Sequence, residues 1–533
     1  MHNVAFPVDK LIDKMSGKNC KMQINHIQVN KVRKILKKLS NSKSTAVDEL
    51  DNFSVKLAAD LIAQPLHHII CLSFIQSKFP EKWKYSKVLP LHKKGEKLER
   101  KNYRPVSILS PLSKVLEKVV YEQIYDYFSR NSLFHPNLHG YRHNRSTETA
   151  LIQMYDRWVR AAHSGQLSGV VLLDLSAAFD LVDPNLLLKK LKIYGFDHDS
   201  LLWIESYLKN RFMGVWIDHT MSEFRQCPVG VPQGSNLGPL LFLIFYNDLP
   251  LSVNCSVDAY ADDSTMTVTA DSIEDIASNL TDNCKIVSDW MLGNKLKLNA
   301  EKTHLMTVGT RARLRNQPSK AVVNMDGLEL KESESEMLLG CYVESDLKWH
   351  KQVNFLLSKL QTRLGALDKI KHIVQFQFRK TIVESIFTSV LRYCIPVFGG
   401  CDKGEIQALQ ILQNKAARIA TLSGMRVRRN YLYDQTGWMT VQQLIYYHTA
   451  LSTYRIRNSK EPEYLDAILN RNNRSGKIIV PHTNLSLAIG SFCFRASNEW
   501  NRLPEELRKC ENISSFKHQL RKWILRNVPR FYE

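Results

Sequence analysis

The sequence predicts an α+β fold, and three observations carry the prediction. Gly169-Val170-Val171-Leu172-Leu173-Asp174 is a continuous apolar run ending in a carboxylate, the pattern of a buried strand with a functional residue at its end. Val257–Tyr260 and Met266–Val268 flank Ala261-Asp262-Asp263-Ser264 as two short strands around a turn. Leu112, Leu116, Val119, Val120, Ile124 and Phe128 recur at steps of three and four, an apolar stripe along one helix facing a core.

The remaining elements follow in chain order. Residues 27–80 read as helices, with Leu57, Leu61 and Ile62 near helical spacing. Lys87-Val88-Leu89-Pro90-Leu91 reads as a strand entering the basic turn His92–Gly95, and Asn102-Tyr103-Arg104-Pro105 resumes extended chain because proline biases its predecessor away from helix. Pro111 opens the helix with the stripe. Asp183-Pro184 supplies an N-cap and a first-turn proline for a helix through Leu186, Leu187, Leu188, Leu191 and Ile193. Gly230–Ser235 is a glycine-rich loop leading into the apolar helix Leu240–Tyr246. Past residue 350 the chain is mainly helical, with Ile406, Leu409, Leu412, Ala416 and Ile419 on one helix face and the charge run Arg426–Arg429 marking a loop.

Composition narrows the partners. The chain has 533 residues with 73 Lys and Arg against 52 Asp and Glu, a formal charge of +21, which favours polyanions and above all nucleic acid. None of the ten cysteines forms a Cys-x-x-Cys pair, so neither a zinc ribbon nor a disulfide framework is expected, and a reduced compartment, nuclear or cytoplasmic, is. Residues Met1–Lys10 lack the layout of a secretion signal, and no apolar run is long enough to span a membrane.

The carboxylates point to chemistry. Phosphoryl transfer with two magnesium ions needs anionic oxygens converging on one spot, because the ions sit roughly 3.5–4 Å apart and repel each other. A strand-end Asp174 beside a strand–turn–strand carrying Asp262 and Asp263 would supply them. Taken alone, Asp-Asp is a solvated turn and Asp174 a strand-end cap. Lys93, Lys94 and Arg104 around the extended turn are candidates for gripping phosphate. Pro232-Gln233-Gly234 would let backbone approach a nucleotide closely, since glycine has no side chain to obstruct it.

In order, these segments resemble the reverse transcriptase domain of non-LTR, LINE-type retrotransposons of the jockey-like kind. Lys87–Gly95 with Asn102–Ser107 is similar to the fingers motifs, and His139-Gly140-Tyr141-Arg142-His143-Asn144-Arg145-Ser146-Thr147 to the segment written G-F-R-x-x-R-S-T, with Tyr141 in place of the usual Phe. Leu173–Asp180, Val231–Pro239, Tyr260–Asp263 and Leu296–Thr303 are similar to four successive palm motifs. Leu338-Leu339-Gly340-Cys341 with Leu347-Lys348-Trp349 resembles the primer-grip hairpin, and Leu412–Arg418 and Trp500–Pro504 resemble segments that follow the palm. Any one motif is weak, but seven in the correct order over residues 87–349 are specific.

The resemblance implies a right-hand polymerase: an N-terminal helical extension over 1–69, fingers and palm over 70–350, a helical thumb over 351–430 and a helical region over 431–533. It implies extension of a DNA primer 3′-OH on an RNA template with dNTPs and two Mg2+ ions. Asp174, Asp262 and Asp263 would be the catalytic metal ligands. Phe179 would exclude a ribose 2′-OH, Gln233 and Gly234 would contact the incoming nucleotide, Arg104 with Lys94 or Lys93 would hold its triphosphate, and Lys302 would steady or protonate the pyrophosphate. The stretch before Lys87 is too short for the endonuclease domain of complete elements, and no room is left for an RNase H domain, so a truncated second reading frame is expected. A catalytically silent nucleic-acid-binding relic is the main rival reading. A maturase-like reverse transcriptase is disfavoured by the lack of cysteine pairs.

Overall fold

The computed structural model describes residues 8–176, 178–299, 302–472, 477–483 and 485–530; Ala177, Ala300 and Glu301, which belong to two of the palm motifs, lie outside them. The chain forms two compact units. The first comprises residues 1–141, 173–257 and 282–302, the second 142–172, 258–281 and 303–533. Among the described residues no helix is long and apolar enough to cross a membrane.

In the first unit, the helices expected over 27–80 are Val29–Lys37, Asn52–Leu57 and Ala59–Ile75, with non-helical chain over 38–51. The buried faces differ from the apolar spacing read in the sequence. Leu57 and Leu61 are 73% and 83% exposed, while Val55, Ala59, Ala63, Leu66 and Ile70 are buried. Ala59, Ala63, Leu66 and Ile70 share the inner face of their helix, which turns Leu61 to the outside. Strand Tyr85–His92 pairs antiparallel with Tyr103–Ile108, setting Leu91 opposite Arg104, and parallel with Arg211–Ile217. Ser110 caps the helix Pro111–Arg130, and Asp183 caps Pro184–Ile193 by accepting from the Asn185 and Leu186 amides, as the capping signals predict. Lys190 on that helix is fully buried against Asp248 at 2.7 Å, a pair that seats the helix beside Gly238–Tyr246.

The second unit carries a five-stranded sheet in the order Lys331–Glu332, His304–Val308, Leu167–Leu173, Asp263–Ala270, Ser256–Tyr260. The Leu167–Leu173 strand is buried along nearly its whole length, as the apolar run requires. Its one small residue, Gly169, is where Ile276 and Leu280 press onto the strand, leaving no room for a Cβ. Ser168 at the start of this strand meets Thr269 near the end of Asp263–Ala270, at 3.4 Å between hydroxyl oxygens, so the two neighbours run antiparallel. Trp158, on the helix Thr147–His163, donates to Thr267 at 3.3 Å and packs that helix on the sheet. Ser146 and Thr149 form its capping box, a structural role for the serine of the His139–Thr147 motif. Helices fill the unit beyond residue 350, led by His350–Ile370, Lys403–Thr421 and Val441–Ser459.

One buried carboxyl among these helices gives a pH-dependent stability. Glu499 Oε2, on Phe492–Arg502, is closed to solvent without a hydrogen-bond partner. Burial pushes its carboxyl up to about 8 from 4.5, against the opposing charges of Arg495 and Arg502. A raised acid binds more protons folded than unfolded, so stability falls as pH climbs from 4.5 to 8. Glu499→Gln is expected to raise unfolding free energy by on the order of 2 kcal/mol at pH 8, with the gain vanishing near pH 5, in urea titrations at both values. An equal shift at both pH values would contradict this.

Candidate active site

The carboxylates sit where the sheet ends. The Leu167–Leu173 strand runs directly into Asp174, which is half-buried. The Asp174 carbonyl accepts from Asn299 N–H at 2.9 Å, and the next two residues pair with Lys297–Leu298, Leu175 opposite Leu298. The first and last palm motifs are thereby stitched together through backbone. Lys302 is exposed, and its amide donates to the Asn299 carbonyl at 3.1 Å.

In the second unit, Ala261 and Asp262 make the turn between Ser256–Tyr260 and Asp263–Ala270, and both aspartates are exposed. Ala261 holds φ +60°, the left-handed region that costs a non-glycine residue about 1–2 kcal/mol. Strain of that kind is kept where the surroundings over-determine it. Here the preceding strand is anchored three residues before the turn's start: buried Asp258 accepts from Gln153 at 3.0 Å and from Arg157 at 2.6 Å. Because the two central strands are antiparallel neighbours, the end of Leu167–Leu173 is level with the start of Asp263–Ala270.

The nucleotide-side candidates belong to the first unit. Arg104 is exposed on its strand, and Lys93 and Lys94 are exposed on the turn, closed where the Lys93 amide donates to the Asn102 carbonyl at 2.8 Å. Gly234 has φ +124°, and the Ser107 carbonyl stands where its Cβ would be; the Ser107 amide donates to the Gln233 carbonyl at 2.7 Å. The loop is thus laid flat on the Tyr103–Ile108 strand. The Gln233 amide donates to Asp180 at 2.9 Å. Burial pushes the Asp180 carboxyl up, opposed by that hydrogen bond and by the Lys93 charge, so Lys93 reaches this cluster electrostatically. The Phe179 ring stacks on Phe242 at 4.5 Å and takes the edge of Tyr141 at 5.9 Å, while its carbonyl accepts from the Val231 amide at 2.9 Å. Phe179 is only half-buried, so one part of the ring remains open.

Two partners were not legible beforehand. Asp180, inside a recognised motif, fixes Gln233, and its acidic neighbourhood to Phe179 was the only signal. Glu461 clasps both arginines of the His139–Thr147 segment, Arg142 at 3.1 Å and Arg145 at 2.7 Å, from more than 300 positions away. Nothing in the sequence marks it. A third cluster, His350 with Asp402 and Glu405, places three potential metal-ligand atoms within 4.8 Å of one another. Asp402 and Glu405 are the capping box of Lys403–Thr421, and His350 bonds Glu405 at 2.6 Å, so a helix cap accounts for it.

The second unit thus carries a mixed sheet with an acidic turn at a strand end, and the first a basic strand pair and a glycine loop, an α+β build. Residues 91–358 match the family described as reverse transcriptase (RNA-dependent DNA polymerase), and the chain belongs to that family. It is similar to the probable RNA-directed DNA polymerase from transposon BS of Drosophila melanogaster, 26% identical over 457 residues, covering 82% of this chain and 49% of that one. It is also similar to the polymerase from mobile element jockey of the same organism, 24% identical over 410 residues (74% and 44%), and to the probable polymerase from transposon X-element, 25% over 466 residues (84% and 50%). The chain spans about half the length of these curated relatives. Membership of the family implies dependence on a divalent metal.

Proposed function

We propose that this chain is the RNA-directed DNA polymerase of a non-LTR mobile element, extending a DNA primer 3′-OH on an RNA template with dNTPs. The observation that carries the reading is the pair of acidic motifs on antiparallel neighbouring strands inside the segment that matches the reverse transcriptase family. Fingers and palm would span 70–350 and the thumb 351–430. The ten cysteines, all free thiols, suit a nuclear or cytoplasmic setting.

Asp174, Asp262 and Asp263 are hard oxygen donors, the set that fits magnesium. Two ions bound there would lower the pKa of the attacking hydroxyl and stabilise the leaving oxygens. The rest is positioning by the chain's own groups. Arg104, with Lys93 or Lys94, holds the triphosphate. Gln233, its amide oriented by Asp180, and the bare backbone of Gly234 seat the nucleotide. Phe179, held from behind by Phe242, occupies the space a ribose 2′-OH would need. Lys302 steadies or protonates the departing pyrophosphate.

The test is primer extension by the purified chain on a primed RNA template with dNTPs and magnesium. Chelator-sensitive DNA synthesis, faster on RNA than on DNA template, is expected. Tight primer–template binding with no synthesis under any divalent ion would instead make the chain a silent nucleic-acid binder.

A further inference from the structure

The segment Leu412–Arg418, on the helix Lys403–Thr421, has no part in nucleotide transfer, and its side chains divide by face. Gln413 and Asn414 are buried, each with its side-chain oxygen 3.0 Å from the Tyr433 hydroxyl. Leu412, Lys415 and Arg418 instead line a groove of about 600 Å3 in the second unit. The opposite wall is the helix His350–Ile370, where Gln361, Leu364, Gly365 and Asp368 fall at the steps that share one helix face. Ile419, Leu422 and Met425 continue the apolar bed, and the last two are 45% and 75% exposed. From Gln361 to Lys371 the wall runs for three turns, ~15 Å.

Gly365 lies inside a helix, where glycine is less stable than alanine, yet a Cβ there would meet nothing within 4 Å. The chain's own packing does not require a glycine at this point, whereas close approach of a second backbone along the groove does. The charges of the groove are unmatched as well. Lys371 pairs with Asp368 at 2.8 Å, but Lys415 and Arg418 have no ion-pair partner among the described residues. Among those residues Arg418 reaches only backbone carbonyls, of Asn414 and Met425, both at 3.4 Å. Its Nε is closed to solvent without a hydrogen-bond partner.

The apolar bed decides the class of occupant. A nucleic-acid backbone binds through its phosphates and would leave Leu364, Leu412, Ile419 and Met425 unused. An amphipathic helix uses both features. Its apolar residues at i, i+3, i+4 and i+7 fill a bed three turns long, and acidic residues beside them meet Lys415 and Arg418. Met425, unbranched and polarizable, adapts to the side chains it covers. We propose that this groove docks an acidic amphipathic helix of a protein partner, seated against Gly365 and held by Lys415 and Arg418.

The test displays a library of peptides of about 16 residues, with apolar residues fixed at i, i+3, i+4 and i+7 and Glu, Lys, Gln and Ala equally frequent elsewhere. Selection is on the immobilised full chain without metal, dNTP or nucleic acid, so the result is independent of the catalytic assignments. Binders enriched at least about fivefold in Glu over Lys are expected. In fluorescence anisotropy the best binder should bind Gly365→Leu and Lys415→Glu at least about tenfold more weakly than wild type. It should bind Gly404→Leu as wild type, because Gly404 is an equally open glycine outside the groove. A twin peptide with Lys in place of Glu should recover binding to Lys415→Glu. Gly365→Leu fills empty space at an exposed helix position, so its Tm should not fall, and lost binding then reports a blocked groove. No enrichment, enrichment without the acidic bias, or binding that survives Gly365→Leu would each overturn the proposal. So would a primer–template affinity that drops in Gly365→Leu and Lys415→Glu while no peptide is selected, which would make the groove a nucleic-acid contact.

Discussion

Asp262→Asn/Asp263→Asn is expected to lower primer extension by at least about 1,000-fold while primer–template affinity stays within a few-fold of wild type. Asparagine keeps the size and one oxygen of each side chain but removes the negative charge, and charge is what offsets repulsion between two adjacent divalent ions. Both aspartates are exposed at the turn, so their replacement costs little stability. Ala261 in the left-handed region shapes the turn, and Asp258, clamped to Gln153 and Arg157, anchors the strand before it. Thermal unfolding should therefore move little, and loss of synthesis would report chemistry rather than folding. Equal synthesis by the double variant and wild type would place the catalytic centre elsewhere.

Much of this site was legible in the sequence because its logic is local. An apolar run ending in Asp174 and a cap signal at Asp183-Pro184 are each set by neighbours in the chain, and each forms as read; the hairpin at Leu338–Cys341, expected from the resemblance, forms too. The hairpin register, Leu338 opposite Cys341, follows from two consecutive residues with positive φ. What escaped is long-range or depends on packing. Periodicity marks Leu57 and Leu61 as helical but does not say which face turns inward, and Ala59, Ala63, Leu66 and Ile70 hold that face. Arg142 and Arg145 share a partner, Glu461, that comes from another element. Gln233 has an evident role only once Asp180 is seen to hold its amide. The lysines that line a cavity in the first unit are spread from Lys31 to Lys118, and no sequence window contains them.

Gly234→Ala is expected to lower kcat/KM for dNTP by about 100-fold, chiefly through KM, with the fold retained. Two independent features oppose a side chain there. The backbone is at φ +124°, where an L-residue is strained, and the added methyl would collide with the Ser107 carbonyl, which is backbone of a paired strand and cannot swing aside. Relief must come from the loop lifting off the Tyr103–Ile108 strand, which breaks the 2.7 Å bond from the Ser107 amide to the Gln233 carbonyl. Gln233 moves with it and loses Asp180, so the contacts proposed for the nucleotide are displaced together while Asp174, Asp262 and Asp263 are untouched. A displacement of about 1 Å suffices for an effect of this size. Gly327→Ala is the matched control: it has φ +81° but open space where the Cβ would go, so it carries the strain without the collision. It should cost about 1 kcal/mol of stability and leave dNTP kinetics unchanged. Steady-state kinetics on both variants decides the matter, since wild-type kcat/KM in Gly234→Ala would mean that the loop does not seat the nucleotide.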